Sequence, residues 1–228
     1  MEVEPSWYSE LLASGEALAC LSLCGNTAMQ MRDDGAGSSV TYTPRGSVSG
    51  EVVPLLMQPF EYTVLFVANG GDGKSSANCL SRAIVLAPKH DEDALFICFR
   101  GARPPAQVGG RSPWPGHEAD RDCILSYRSA PADMKYPGAP DGSTAHSGVA
   151  KYEALLCGSS GDEGATGGID GGLIAWLREH LQKRPTRILL IGLSLGGSLA
   201  QAVALRLASQ LPVLRSCMRI LAFAPLAW

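Results

Sequence analysis

The sequence predicts an α/β protein in which helices flank a mostly parallel sheet, and three adjacent segments carry this prediction. RILLIG, at 187–192, is a continuous apolar run of the kind found in strands that are covered on both faces. GGSLAQAVALRLASQ, at 196–210, places Leu199, Val203 and Leu207 on one stripe of a helix. MRILAFAP is a second apolar strand, so the three segments form a parallel strand–helix–strand unit.

Two regions are distinguished along the chain. Residues 1–59 are predicted to form an N-terminal extension, with a helix over 5–20 and a polar loop over 32–50 that is rich in Gly, Ser and Asp. The core is expected over residues 60–228, because short runs rich in β-branched and aromatic residues begin there. The first three runs are EYTVLFVAN, RAIVLAP and ALFICFRG, and the first two are predicted to pair as a hairpin.

The middle of the core alternates turn-rich and apolar segments. A Pro- and Gly-rich stretch at 102–121 precedes a short strand pattern at 122–127, and SGVAKYEALLC at 147–157 is predicted to be a helix. After a Gly-rich loop, LIAWLREHLQKR at 173–184 has the pattern of an amphipathic helix. Pro185 prevents that helix from continuing.

Composition and charge exclude several classes of protein. Hydrophobic residues make up 46% of the 228 residues and charged residues 18%, which is typical of a globular domain. A formal net charge of −3 offers no basic surface for nucleic acid, so no nucleic-acid partner is expected. The seven cysteines include no CxxC pair, which indicates neither a metal site nor a disulfide framework. No cofactor is expected, and the oligomeric state is left open.

One segment has the length of a membrane-spanning helix, because residues 188–205 carry no charge. The glycines Gly192, Gly196 and Gly197 at its centre favour instead a buried strand that turns into a buried helix. The acidic N-terminus, MEVEPSWYSE, is unlike a secretory signal. These features predict a cytoplasmic protein, with which peripheral contact to a lipid surface is compatible.

Gly192-Leu193-Ser194-Leu195-Gly196 matches the pattern G-x-S-x-G. The match is informative because a strand pattern precedes it and a helix pattern follows it. A buried strand must reverse sharply into a helix at Ser194, and the flanking glycines leave room for that turn. The amide of Leu195 then lies at a helix N-terminus, where it can stabilise an oxyanion. The alternative is a glycine-rich strand–helix turn in which the serine has no chemical role.

Four short motifs follow one another along the core: Phe99-Arg100-Gly101, His146-Ser147-Gly148, Gly192–Gly197 and Leu221–Pro225. In this order they resemble the motifs of the class 3 (fungal-type) lipases of the α/β-hydrolase superfamily, and the diacylglycerol lipase branch looks similar. The resemblance covers about residues 60–228 and implies a carboxylic ester hydrolase that acts on lipids. It implies that Ser194 is the nucleophile, that the amides of Leu195 and Ala102 form the oxyanion hole, and that residues 103–116 occupy the position of a lid.

The sequence departs from the lipase pattern in three places. Leu193 stands where the family usually has His, and Ala102 stands where it has Thr or Ser. The family's acid and base follow the nucleophile, yet no Asp, Glu or His follows Ser194 here. His146, in the motif that begins a helix, is a weak candidate for the base; the other three histidines, His90, His117 and His180, also precede Ser194.

This gap predicts a C-terminally incomplete lipase domain with little esterase activity of its own. The alternative is a degenerate, non-catalytic lipase-like domain used for binding or as a scaffold. A further alternative comes from residues 68–75, ANGGDGKS, which fit a relaxed phosphate-binding loop. Only a short polar segment separates them from the next strand, which favours a hairpin loop over nucleotide binding.

Overall fold

A five-stranded sheet forms the centre of the protein. Its strands lie in the order β3-β4-β5-β8-β9, and they are β3 (Tyr62–Ala68), β4 (Ala83–Pro88), β5 (Ala94–Phe99), β8 (Arg187–Leu193) and β9 (Met218–Phe223). The computed structural model describes residues 7–25, 29–31, 42–44, 60–68, 83–101, 132–133, 142–157, 172–183 and 186–225. Two separate two-stranded sheets pair β1 (Met29–Met31) with β2 (Tyr42–Pro44), and β6 (Ala132–Asp133) with β7 (Thr144–Ala145).

The central sheet is mixed. β3, β4 and β5 are antiparallel neighbours, which confirms the predicted hairpin, whereas β5, β8 and β9 run parallel. The α/β fold predicted from sequence is therefore confirmed, and its parallel character is concentrated in the half of the sheet that leads to Ser194. β8 lies between two parallel neighbours, as its unbroken apolar sequence predicts.

Five α-helices and one short 3-10 turn are seen among the described residues. The predicted helices over 147–157 and 173–184 are confirmed, whereas the single helix predicted over 5–20 is wrong. Two helices replace it because the chain breaks at Ser14-Gly15, where Gly15 adopts a φ of 79° and the hydroxyl of Ser14 accepts a hydrogen bond from the Glu16 amide (3.2 Å). The elements are α1 (Trp7–Ala13), α2 (Glu16–Gly25), α3 (Ser147–Cys157), α4 (Gly172–Lys183), α5 (Leu195–Gln210) and the 3-10 turn Pro212–Arg215. In these ranges no helix combines the length and apolar character needed to cross a bilayer.

Both faces of the sheet are buried, and alternate residues of each strand supply the two sides. Leu95, Ile97 and Phe99 of β5 pack with helices α3, α4 and α5 on one face. Phe96 and Cys98 of the same strand pack with α1 and α2 on the other face. The N-terminal helices thus complete a three-layer α/β/α arrangement, and the domain boundary at residue 60 stays a prediction from the sequence.

An ion pair is buried between two of the helices. Glu153 of α3 is fully buried, and its carboxylate accepts two hydrogen bonds from the guanidinium of Arg206 on α5, one of them at 2.7 Å from Nη2. Bidentate pairing of this kind satisfies both charges, with the Glu153 carboxylate fully buried and the Arg206 side chain 12% exposed. Breaking the pair would leave an uncompensated charge between α3 and α5.

We therefore expect Glu153→Ala to lower the free energy of unfolding by about 3–5 kcal/mol, the range typical of a buried pair that loses one partner. Chemical denaturation followed by circular dichroism measures the change. The control is Lys89→Ala, which breaks the exposed pair between Lys89 and Glu61 and should leave stability almost unchanged. Equal losses in the two variants would contradict the expectation.

Candidate active site

Ser194 occupies a tight turn between β8 and α5. Its φ of 55° and ψ of −122° are strained for a residue with a side chain. Backbone bonds hold the turn: the Ser194 amide donates to the carbonyl of Phe223 (2.9 Å), and the Ser194 carbonyl accepts from the amides of Gly197 and Ser198. The Ser194 hydroxyl does not cap the helix, so α5 does not engage it as a structural group.

Two glycines make the turn sterically possible. A Cβ on Gly192 would overlap the carbonyl of Gly196, and a Cβ on Gly196 would overlap the carbonyl oxygen of Phe99 at the end of β5. Gly197 has more room, because a Cβ there would lie 3.2 Å from the nearest atom, the Gly192 carbonyl oxygen. The two outer glycines of G-x-S-x-G are thus required by close backbone approach, as the sequence predicts.

The end of β5 lies beside this turn. Phe99 is the register partner of Gly192, and a Cβ on Gly101 would lie 3.0 Å from the carbonyl oxygen of Leu193. Leu195, buried at 1% exposure, is the first residue of the 16-residue helix α5. The structure therefore brings together the residues from 99 to 101 with Ser194 and Leu195. Ala102, the other expected oxyanion donor, lies outside the described residues.

Arg100 is a buried charge at this junction that sequence analysis did not single out. Its side chain is 6% exposed, and its Nη1 donates a 2.8 Å hydrogen bond to the carbonyl of Gly101. The bond therefore restrains the Gly101 carbonyl, at the end of the segment that lies beside the Ser194 turn. A cation directly after an apolar strand, in the motif FRG, is the sequence feature that could have indicated it.

The three described histidines have separate local roles. The Nδ1 atom of His146 accepts a hydrogen bond from the Gly148 amide (3.1 Å) at the start of α3, and burial lowers the pKa of this imidazole. His180 stacks on Trp176 with ring centroids 4.9 Å apart, as expected for a packing residue. His90 precedes β5, at the sheet edge opposite Ser194. His117 lies outside the described residues.

A cleft of about 700 Å³ lies at that opposite edge, and sequence analysis did not anticipate it. Glu16, 2% exposed, lines it; the carboxylate accepts a 2.7 Å hydrogen bond from the Tyr62 hydroxyl and lies 3.3 Å from Nε2 of His90. Burial is the largest influence on the Glu16 carboxyl and raises its pKa, while Tyr62 and His90 partly offset this effect. Burial also raises the pKa of Tyr62, so the phenol stays protonated and donates.

Charge around this cleft is largely paired. Arg187 donates two hydrogen bonds to the carboxylate of Asp91, at 2.6 and 2.8 Å, and its guanidinium lies 5.6 Å from the ring centroid of Trp7. Lys89 pairs with Glu61 at 2.9 Å on the exposed rim. These contacts tie α1 and the β4–β5 turn to the start of β8, at the sheet edge away from the candidate active site.

Comparison with known proteins agrees with this geometry. Residues 124–226 match the model of the family described as lipase (class 3). This part of the chain is similar to the class 3 lipases, and the flanked sheet has an α/β-hydrolase-like fold. No curated protein sequence matches the chain.

Solved structures of similar fold include lipases of fungi. A Rhizomucor miehei lipase–propeptide complex is 16% identical with a TM-score of 0.53, and the match covers 92% of this chain and 51% of that one. MDLA from Penicillium cyclopium is 15% identical with a TM-score of 0.53, over 94% of this chain and 62% of that one. A triacylglycerol lipase with a serine protease triad is 13% identical with a TM-score of 0.50, over 92% and 60%. The chain thus spans about half to three-fifths of the length of these lipases.

Alanine substitution tests the packing of the turn. We expect Gly192→Ala and Gly196→Ala each to lower the free energy of unfolding by about 3 kcal/mol or to prevent folding, because the added Cβ meets rigid backbone. Gly197→Ala is the matched control, and its smaller loss should leave a soluble protein. Soluble yield and chemical denaturation compare the three variants. If Gly196→Ala is as stable as Gly197→Ala, β5 and the turn are farther apart than the structure shows.

The raised pKa of Glu16 predicts a pH-dependent difference in stability. Because burial disfavours the ionised form, the folded state holds the proton more tightly, and stability is lost as pH rises from the ordinary value of 4.5 through the folded pKa. Glu16→Gln removes this titration and keeps an acceptor for Tyr62. We therefore expect the free energy of unfolding of Glu16→Gln, relative to wild type, to increase from pH 4.5 to pH 7.

The control for this pH series is Glu10→Gln, which changes an exposed residue that lines the same cleft. Its stability relative to wild type should vary little over the same interval. A stability difference for Glu16→Gln that stays constant or falls as pH rises would contradict the assignment of Glu16 as a destabilised carboxylate.

Proposed function

We propose that this chain forms the nucleophile half of a serine hydrolase that acts on carboxylic esters of lipids. The observation that carries the proposal is the position of Ser194, at a strained turn between a central parallel strand and a helix N-terminus. The match of residues 124–226 to the class 3 lipases supports the same chemistry. A turn of this shape presents a hydroxyl beyond the carboxyl end of the sheet, where open α/β sheets bind ligands.

The proposed reaction proceeds through an acyl-enzyme. The Oγ atom of Ser194 attacks the ester carbonyl carbon, and the carbonyl π electrons move onto oxygen as the new bond forms. The amides of Leu195 and Ala102 are proposed to hold this oxyanion. Collapse of the tetrahedral species breaks the bond to the alcohol oxygen, which leaves with a proton; water then attacks the acyl carbon and releases the fatty acid and the Ser194 hydroxyl.

The proposed reaction also requires a group that accepts the proton of the Ser194 hydroxyl. Nucleophilic attack requires a base for the Ser194 proton, and residues 195–228 contain no Asp, Glu or His. His146 is poorly suited to this task as it stands, because its Nδ1 accepts from the Gly148 amide and a neutral ring then carries its proton on Nε2. A triad histidine has the opposite arrangement, with Nδ1 donating to a carboxylate and Nε2 accepting from the serine.

This mismatch favours a second candidate function, a lipase-like domain that binds lipid or a partner without catalysis. Nucleotide binding through residues 68–75 is less favoured, although most of that loop lies outside the described residues. β3 and β4, on either side of it, are antiparallel neighbours, whereas a phosphate-binding loop leads from a strand into a crossover helix.

The proposed substrates are acylglycerols, with tri- and diacylglycerol both compatible with the class 3 resemblance. One of the similar structures is named as a triacylglycerol lipase, and another is titled a model for interfacial activation in lipases. A lipid surface is accordingly the proposed site of contact. We also propose the cytoplasmic location that the sequence predicts.

Covalent labelling separates the enzyme from the binding domain. We expect a fluorophosphonate probe to add its mass to the peptide that contains Ser194 in the wild-type chain, since phosphonylation replaces fluoride with Ser194 Oγ. Ser194→Ala should abolish the label. The matched control is Ser198→Ala, which removes a buried hydroxyl one turn along α5 and should label as the wild type does.

Hydrolysis of p-nitrophenyl butyrate by the same three proteins gives the second measurement. We expect only slow turnover, because an oxyanion hole without a base retains on the order of 10³–10⁴ over water, far below a complete triad. Absence of both labelling and Ser194-dependent turnover would favour the binding domain. Fast turnover that Ser194→Ala abolishes would show that a histidine before Ser194 completes the site, with His146→Ala the first variant to test.

A further inference from the structure

The C-terminal end of α2 contacts both segments of the candidate site. The backbone carbonyl of Cys24 accepts a 2.9 Å hydrogen bond from the amide of Gly101, directly after β5. The Sγ atom of Cys24 is 3.4 Å from the carbonyl oxygen of Ile191 in β8, three residues before Ser194. One residue of α2 therefore bonds to the strand that leads to the nucleophile and to the segment that leads to the oxyanion position.

Both contacts have a physical basis in the end of the helix. The carbonyl groups in the last turn of a helix lack partners within it, and the Gly101 amide supplies one for Cys24. The Cys24 thiol has a single proton, which it shares between Ile191 and the carbonyl of Cys20, also at 3.4 Å. At 1% exposure Cys24 is shielded from water, so solvent does not compete for either contact.

We propose that Cys24 is a positioning residue for the candidate active site, fixing Gly101 relative to the Ser194 turn. The proposal rests on the proposed function, and it gives α2 a part in that function. Cys24 holds the amide of Gly101, Arg100 bonds to the carbonyl oxygen of Gly101, and Gly101 directly precedes the proposed oxyanion donor in the sequence. Oxyanion donors act because they are fixed before charge develops, so a contact that fixes them contributes to rate rather than to substrate binding.

Steric fit at Gly101 supports this role. A Cβ on Gly101 would lie 3.0 Å from the Leu193 carbonyl oxygen and 3.6 Å from the Cys24 carbonyl oxygen. Gly101 is thus enclosed between the β8–α5 turn on one side and the end of α2 on the other. A shift of α2 would change the position of Gly101, because the Gly101 amide bonds directly to the Cys24 carbonyl.

Three variants test the proposal. Cys24→Ala removes the thiol bond to Ile191, Cys24→Ser restores a donor at the same place, and Cys20→Ala is the matched control. Cys20 is equally buried on α2, one turn earlier, and its thiol lies 3.7 Å from the Tyr62 hydroxyl. Both thiols interact with Cys98 of β5, so the two variants share that loss and differ in the contact with Ile191. Loss of the Cys20 thiol thus creates a similar cavity under α2, and it leaves the contacts of Cys24 with Ile191 and Gly101 in place.

Two measurements are made on each purified chain. The first is hydrogen exchange at the Gly101 amide, by NMR; we expect about 10-fold faster exchange in Cys24→Ala and little change in Cys24→Ser and Cys20→Ala. The second is saturation kinetics of Ser194 phosphonylation by the fluorophosphonate probe. Cys24→Ala should lower the limiting rate by about 10-fold while the half-saturating concentration stays within about twofold, because only the geometry at the reacting centre changes.

The outcomes distinguish this proposal from the proposed function. Unchanged exchange at Gly101 together with an unchanged limiting rate in Cys24→Ala overturns the positioning role while Ser194 remains the nucleophile. Equal effects in Cys24→Ala and Cys20→Ala also overturn it, because they would show general loosening of α2. If no chain is labelled at Ser194, the proposed function fails, and the positioning role in catalysis fails with it. Hydrogen exchange at Gly101 then reports only whether Cys24 holds Gly101 as a structural contact.

Discussion

The structure depends on a close approach of backbones where β8 turns into α5. Gly192 and Gly196 allow the carbonyls of Gly196 and Phe99 to occupy space that a Cβ would otherwise fill. This approach lets α5 lie directly over the sheet, with Leu199, Val203 and Leu207 buried against it. The same geometry holds Ser194 at a positive φ, so the strain at the serine follows from the packing of the helix on the sheet.

Packing on the second face of the sheet links the N-terminal helices to this turn. Ile191 of β8 and Cys98 of β5 bury their side chains under α1 and α2, which places the end of α2 beside Gly101. Residues that sequence analysis assigns to an extension therefore contact the segments that carry the candidate site. Their amphipathic pattern could not reveal this, because a helix that covers a sheet and a helix that covers a separate domain have the same apolar spacing.

The sequence predicts the elements whose determinants are local. The apolar run of β8, the glycines around Ser194 and the stripe on α5 lie within 24 residues, from 187 to 210, and the structure confirms all three. Tertiary pairs were not predictable in this way. Tyr62 and Glu16 are 46 residues apart in sequence, and Arg206 and Glu153 are 53 apart; each looks like an ordinary surface residue until the fold brings it to its partner.

The break between α1 and α2 shows the same limit on a shorter scale. Ser14-Gly15 is a recognisable helix stop and start, yet the apolar residues on both sides continue at helical spacing, and the spacing alone favours one helix. The left-handed φ of Gly15 decides against it, because it turns the chain so that Glu16 of α2 reaches Tyr62 on β3. Backbone conformation at one glycine thus determines which side chains meet 46 residues away.

Different kinds of polar group lie at the two edges of the sheet where the strands begin and end. At the edge away from Ser194, ionisable side chains pair with one another: Glu16 with His90, and Asp91 with Arg187. At the Ser194 edge the described groups that could stabilise charge include the Leu195 amide, at the N-terminus of α5, and the buried guanidinium of Arg100. Backbone donors are fixed by the fold and do not titrate, so they form together with the sheet and do not depend on a base. The positions of Ser194 and Gly101 are therefore determined by backbone packing between the sheet and its helices.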